Sequence, residues 1–212
     1  MSNTELAHPE LAGVEVIDDS GDLSRGEVIL KGALAAGAVY GTFMVGPYVR
    51  KAFAMNGGGD VEILNFALTL EYLESTFYEE AKTRAKASGE LKQLIALLAD
   101  DELQHVEALK ATIKQLGGKP VAEPKFNFEY NDTAGFLKLA QTFEDTGVSA
   151  YNGAGPAIKS KEVLGAAGSI VQVEARHAAA IRIQNKEEPA PEAFDPSLDE
   201  AQVLKAVEPF IA

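Results

Sequence analysis

The chain has no cysteine. That removes disulfides, thiolate metal sites and thiol nucleophiles together, so any bound metal must be held by carboxylate and imidazole. Imidazole is itself scarce, with His8, His105 and His177 the only histidines. Basic residues are also in short supply: 19 Lys and Arg face 32 Asp and Glu, giving a net charge of −13 and a pI near 4.7. A phosphate backbone demands a basic face, so nucleic acid is excluded as a partner. The longest uncharged run, residues 32–49, is eighteen residues with Pro47 near its end, which is short for a membrane-spanning helix. What the chain does have is apolar content, 46% hydrophobic over 212 residues. That is enough for one buried core with room for an appendage.

The first 59 residues differ from the rest. Residues 1–27 are polar, carry Asp18, Asp19 and Asp22, and hold too little apolar surface to order alone. The uncharged run "GALAAGAVYGTFMVGPYV" follows, then Arg50, Lys51, "AFA" at 52–54 and "NGGG" at 56–59. An uncharged stretch followed by an A-x-A motif reads as an export signal, and the preceding "SRGEVILKG" is close to a twin-arginine signal with Gly26 in place of the second arginine. The expectation is an exported or cell-envelope protein. The alternative is an uncleaved, cytoplasmic chain in which residues 28–51 contact a membrane or a second copy. The glycine-rich joint is flexible in either case. Three segments follow: 1–59, leader, hydrophobic segment and joint; 60–188, a helical bundle; 189–212, a tail with a short docking helix.

Beyond the joint, apolar residues recur at helical spacing. Residues 61–86 carry Val61, Leu64, Leu68, Ser75 and Tyr78 on one stripe with Glu71 inside it. Residues 91–116 carry Leu91, Leu94, Leu98, Leu109 and Leu116, with Glu102 and His105 in the stripe and Gly117, Gly118 and Pro120 as the stop. A third helix starts at the N-cap Asp132 and holds Leu137, Ala140, Glu144, Val148 and Tyr151, with Gly153, Gly155 and Pro156 predicted to break or bend its end. A fourth spans 162–186, where Val163, Ile170 and Ile181 flank Glu174 and His177. "SLDE" from Ser197 reads as a capping box opening a last helix that docks Val203, Val207 and Phe210.

These helices contain a repeat. Glu71 and Tyr78 recur 73 positions on as Glu144 and Tyr151; Glu102 and His105 recur 72 positions on as Glu174 and His177. Each half therefore reads Glu, Tyr seven later, then Glu-x-x-His on the next helix. Four carboxylates inside apolar stripes with no Lys or Arg beside them would each cost several kcal/mol (about 3 or more) if buried unpaired. Two divalent cations balance four carboxylates while the histidines stay neutral. The fifteen or so residues between the second and third helices reach about 50 Å when extended. A 25-residue helix is about 37 Å long, so that linker can run the length of a bundle. Its "KFNFEY" alternates Phe126, Phe128 and Tyr130, which gives it one edge able to pack.

One Glu from each of two helices and Glu-x-x-His from each of the other two is the ligand set of di-iron and di-manganese carboxylate bundles. "LNFALTLE" with Tyr78 and "DELQHVEALK" resemble the first- and second-helix signatures of bacterioferritins. The wider run "ILNFALTLEYLESTFY" with "ARHAAAIR" resembles a bacterial ferritin-like family related to desiccation-associated proteins. The resemblance covers roughly residues 60–186; the leader departs from the cage-forming pattern. It implies an all-α, ferritin-like four-helix bundle with a long crossover between helices 2 and 3. It further implies two iron ions, with manganese the alternative. Glu71 and Glu144 become terminal ligands, Glu102 and Glu174 bridges, and His105 and His177 one ligand per metal. Glu74, one turn from Glu71, is the rival first-helix ligand, but its counterpart in the repeat is Gly147. Tyr78 and Tyr151 are the catalytic candidates, either hydrogen-bonding the ligands or donating electrons, with plain core tyrosines the alternative. Asp101 is a candidate hydrogen-bond partner for a histidine. The implied activity is oxidation of Fe(II) by O2 or H2O2 in oxidative or desiccation stress. A manganese catalase-like enzyme, or a non-enzymatic stress protein with a metal staple, are the alternatives.

Overall fold

The computed structural model describes residues 59–212. The expectations placed on the leader and on residues 28–51 lie outside the described residues. Five α-helices follow in order: α1 Asp60–Arg84, α2 Gly89–Gln115, α3 Thr133–Ala154, α4 Lys161–Asn185 and α5 Glu200–Val207. Single 3-10 turns lie at Gly155–Ala157 and Glu208–Phe210. The described residues contain no strand, and a lone bridge pairs Phe126 with Ile211. None of the described helices is long and apolar enough to cross a membrane.

The four long helices form the expected bundle, and their connections set its order. Residues 85–88 turn α1 back into α2, with Lys86 at φ 52° and Gly89 at φ 57°. α2 ends in a Schellman motif: Gly117 takes φ 76°, its N–H donates to Lys114 O, and the Gly118 N–H donates to Ile113 O. The crossover then runs beside α1 from one end to the other. Asn65 holds its start through Lys119 O and the Val121 N–H. Arg84 donates to Phe128 O further along, and Thr133 donates to Ala85 O at the far end. Phe128 is buried, and Phe126 and Tyr130 pack beside it, so the alternating linker packs along one edge. Asp132 caps α3 by accepting from the Gly135 N–H. α3 returns antiparallel to α1, so that Lys159 and Ser160 donate backbone N–H groups to Asp60.

Two apolar clusters fill the bundle, one at each end. Leu64, Leu68, Val106, Ile113 and Val163 belong to the cluster near the start of α1. Phe77, Leu98, Phe136, Phe143 and Ile181 belong to the other, where Phe77 meets four further rings within 5.8 Å besides its neighbour Tyr78. The glutamates of the repeat sit between these clusters.

Four sequence expectations are corrected. Leu116 is exposed and stands at the C-cap, past the last buried residue of α2, Ile113. Ser75 is only half-buried. α3 does end at Ala154, ahead of a 3-10 turn with Gly155 and Pro156, but Gly153 itself is helical and buried, and a Cβ there would lie 1.9 Å from Leu198 O, so this glycine admits the returning tail. The last helix starts at Glu200 rather than Ser197. Its capping box pairs Asp199 with Gln202, since Ser197 and Leu198 are used in reaching α3, where the Leu198 N–H donates to Ser149 O.

Candidate metal centre

Glu-x-x-His places both side chains on one helix face, since residues three apart are neighbours there. α2 presents Glu102 and His105 and α4 presents Glu174 and His177, while α1 and α3 supply Glu71 and Glu144. The structure brings all six together, and all six are buried, the four glutamates completely. Their donor atoms form two overlapping groups, each within 4.8 Å: Glu71, Glu102, His105 and Glu174, and Glu102, Glu144, Glu174 and His177. Glu102 and Glu174 belong to both.

His105 Nδ1 lies 2.9 Å from Glu174 Oε1, 3.1 Å from Glu102 Oε2 and 3.2 Å from Glu71 Oε2. His177 Nδ1 lies 2.8 Å from Glu102 Oε1 and 3.7 Å from Glu144 Oε2. Imidazole and carboxylate donors at bond lengths of about 2.0–2.2 Å stand about 3 Å apart when they meet one ion at right angles. The observed spacings are of that size.

The hydrogen bonds carry the same message. Among the described residues, seven buried side-chain donor or acceptor atoms have no partner of acceptable geometry; one is Tyr130 Oη, and the other six are Glu71 Oε2, Glu102 Oε1, Glu144 Oε2, both Glu174 oxygens and His177 Nδ1. All six belong to the clustered residues and face its interior. His177 makes the case sharply. Its Nε2 is 3.2 Å from Asp101 Oδ2, and a carboxylate only accepts, so Nε2 carries the hydrogen. The neutral ring then turns a bare Nδ1 lone pair toward two carboxylates. A lone pair facing anions is unfavourable unless a metal ion, or in its absence a proton on a facing carboxylate, lies between them. The residues present fit a pair of metal ions.

The two tyrosines bind across the repeat. Tyr78 Oη donates to Glu144 Oε1 and Tyr151 Oη to Glu71 Oε1, each at 2.5 Å. Each leaves the glutamate's other oxygen unpaired and aimed at the cluster. Burial drives both phenols well above their usual range, reinforced by the neighbouring carboxylates.

Without metal, the charges are held by protons. Burial raises Glu102 and Glu174 to about 8; for Glu174 the charges of Glu102 and Glu71 add to it. Burial lifts Glu144 well above the carboxylate range. His105 is pushed up to about 12: burial is the largest influence and pulls downward, but the close carboxylates of Glu102, Glu174 and Glu71 together outweigh it. His177 is lowered, by burial first.

Glu74 is the residue that symmetry reasoning set aside. It is buried at 3% exposure, and burial followed by the charges of Glu174 and Glu102 drives it well above the carboxylate range. It is not in either donor group. A Cβ on Gly147 would stand 3.1 Å from Glu74 Oε1 and 3.5 Å from Glu174 Oε2. The two counterparts thus face one another across the bundle, and the glycine leaves room for the glutamate. The signal was present in the sequence as an acidic residue on the buried face opposite a glycine in the other half.

Residues 59–187 match the sequence model of a family described as a ferritin-like domain. No curated protein matches the chain. Among solved structures, a conserved hypothetical protein, Rv2844, from Mycobacterium tuberculosis is similar in fold. It is 15% identical, with a TM-score of 0.55 over 60% of this chain and 98% of that one. A protein from Bacillus anthracis str. Ames, described as ferritin-like and diiron-carboxylate, is 24% identical, with a TM-score of 0.52 over 59% of this chain and 94% of that one.

Proposed function

Because the chain belongs to the ferritin-like domain family, we propose that it is a di-iron carboxylate protein that binds Fe(II) and oxidises it with O2 or peroxide, in protection against oxidative or desiccation stress. The observation that supports this most directly is the set of six buried, unpartnered donor atoms converging between four helices. The diiron-carboxylate description of the Bacillus anthracis relative is in keeping with it.

In this reading Glu71 and His105 serve one ion, Glu144 and His177 the other, and Glu102 and Glu174 both. When bound, the iron pair would supply the one-electron chemistry. The protein's own part is positional. Tyr78 and Tyr151 fix the rotamers of Glu144 and Glu71 and hold one oxygen of each away from the cluster. Asp101 fixes the tautomer of His177. The apolar clusters on either side exclude bulk water. The protons that Glu102, Glu174 and His105 hold in the metal-free protein leave as the ions enter.

The test is metal analysis of protein from its native host, followed by anaerobic Fe(II) loading and exposure to O2 or peroxide. About two irons per chain and prompt formation of ferric absorbance are expected. Manganese in the native protein, with peroxide disproportionation by the manganese-loaded form alone, would move the assignment to a catalase-like enzyme. Loading that raises Tm with no turnover of either oxidant would leave only a metal staple.

A further inference from the structure

The repeat makes the two halves of the centre look equivalent, but their outer sides are not. His177 Nε2 meets Asp101 Oδ2 at 3.2 Å, across from α4 to α2. The position equivalent to Asp101 in the second half is Val173, an apolar residue that lines the same cleft as His105. Only Nδ1 of His105 contacts a carboxylate; its Nε2 makes no protein hydrogen bond among the described residues. Both rings line a cleft between α2 and α4 of about 480 Å³. Its remaining walls are Leu94, Leu97, Gln104, Arg176 and Ala180, with Asp101 and Val173 beside the rings. Asp101 and Val173 are therefore the point at which one histidine is fixed and the other is not.

A histidine whose outer nitrogen is held by a carboxylate is locked in ring orientation and tautomer, and is a stronger donor through its inner nitrogen. A histidine without that partner must select its tautomer and orientation as the ion arrives. We propose that Asp101 is a positioning residue that makes the two metal positions unequal: the His177 position fills first and retains its ion, and the His105 position fills second and exchanges its ion through the α2–α4 cleft. This rests on the dimetal reading above. It gives that reading a direction, with one resident ion and one that turns over.

The test is a titration of the metal-free, full-length chain with Co(II), whose ligand-field absorption reports each binding step. Two steps are expected in the parent. His177→Ala should abolish the tighter step, and His105→Ala should leave it intact. Asp101→Ala should weaken the tighter step about 10- to 100-fold, the usual cost of losing a ligand's outer partner. Asp101→Asn should recover part of that loss, because its amide oxygen still accepts from Nε2. Asp100→Asn removes the same charge from a neighbour that contacts Gln104 instead, and should change neither step. Val173→Asp, which offers His105 a partner, should tighten the second step, provided its circular dichroism matches the parent. Equal weakening by Asp100→Asn and Asp101→Ala would reduce the effect to bulk charge and overturn the proposal. So would an Asp101→Ala titration superimposable on the parent's, or loss of the tighter step in His105→Ala rather than in His177→Ala. A parent that binds no Co(II) would overturn the dimetal reading itself.

Discussion

Glu102 and Glu174 sit where a carboxylate is most costly, fully buried and beside other carboxylates. Unfolded, each titrates near 4.5; folded and metal-free, each titrates near 8. Between those values the folded state binds more protons than the unfolded state, so stability falls as pH rises. His105, raised from 6.5 to about 12, acts in the same direction above pH 6.5. The Tm of the EDTA-treated protein should therefore decline steadily from pH 5 to pH 8. The metal-loaded protein should lack this decline, because ions hold the carboxylates once protons are displaced. A metal-free Tm that climbs over that range would refute the assignment of buried, proton-holding carboxylates. Metal content of single variants tests the ligand roles. Glu71→Ala or Glu144→Ala should cost one metal per chain, whereas Glu102→Ala or Glu174→Ala should cost both, as read by elemental analysis after gel filtration. Parent-like content in Glu102→Ala would refute the bridging role. At this scale the sequence was informative because the ligands repeat: a doubled Glu-x-x-His inside apolar stripes is hard to explain by packing. The repeat could not show that Tyr78 serves Glu144 and Tyr151 serves Glu71. Those bonds cross between halves, and chain spacing carries no record of which half a side chain faces.

At the scale of elements, the long helices were legible because apolar period, caps and stops agreed, as at Asp132 and at Gly117 with Gly118. The failures fall where a distant segment sets the local structure. Gly153 reads as a helix breaker, since glycine weakens a helix by about 1 kcal/mol relative to alanine. In the fold it is the only residue small enough to pass the Leu198 carbonyl. The tail's approach also moves the α5 cap from Ser197 to Asp199. Two outcomes follow from that contact. Gly153→Ala must push backbone against backbone, because the obstructing atom is a carbonyl rather than a flexible side-chain end. It should cost about 1–3 kcal/mol, the usual range for overpacking, and speed proteolysis between residues 186 and 200. Asp199→Ala removes the capping box alone and should cost about 1 kcal/mol, read by chemical denaturation, with metal content unchanged. A Gly153→Ala protein with parental Tm and protease resistance would show that the tail does not bind α3 so closely.

At the scale of the whole molecule, the bundle places apolar clusters at its two ends and its carboxylates between them, with a crossover strapped along α1. The match to the ferritin-like domain begins at residue 59. The joint "NGGG" ends at that same residue. If residues 1–54 are an export signal, their removal after Ala54 leaves Met55 as the new N-terminus, with the joint and the whole bundle retained. Intact-mass analysis of protein from the native host should find that chain, in an envelope or extracellular fraction. A recombinant chain starting at Met55 should match the full-length protein in metal content and Tm, because all the proposed ligands lie between Glu71 and His177. Native protein that keeps residues 1–54 would overturn the export reading. It would instead assign the uncharged run at 32–49 to a lipid surface or a second copy, since an apolar stretch of that length is a liability in water.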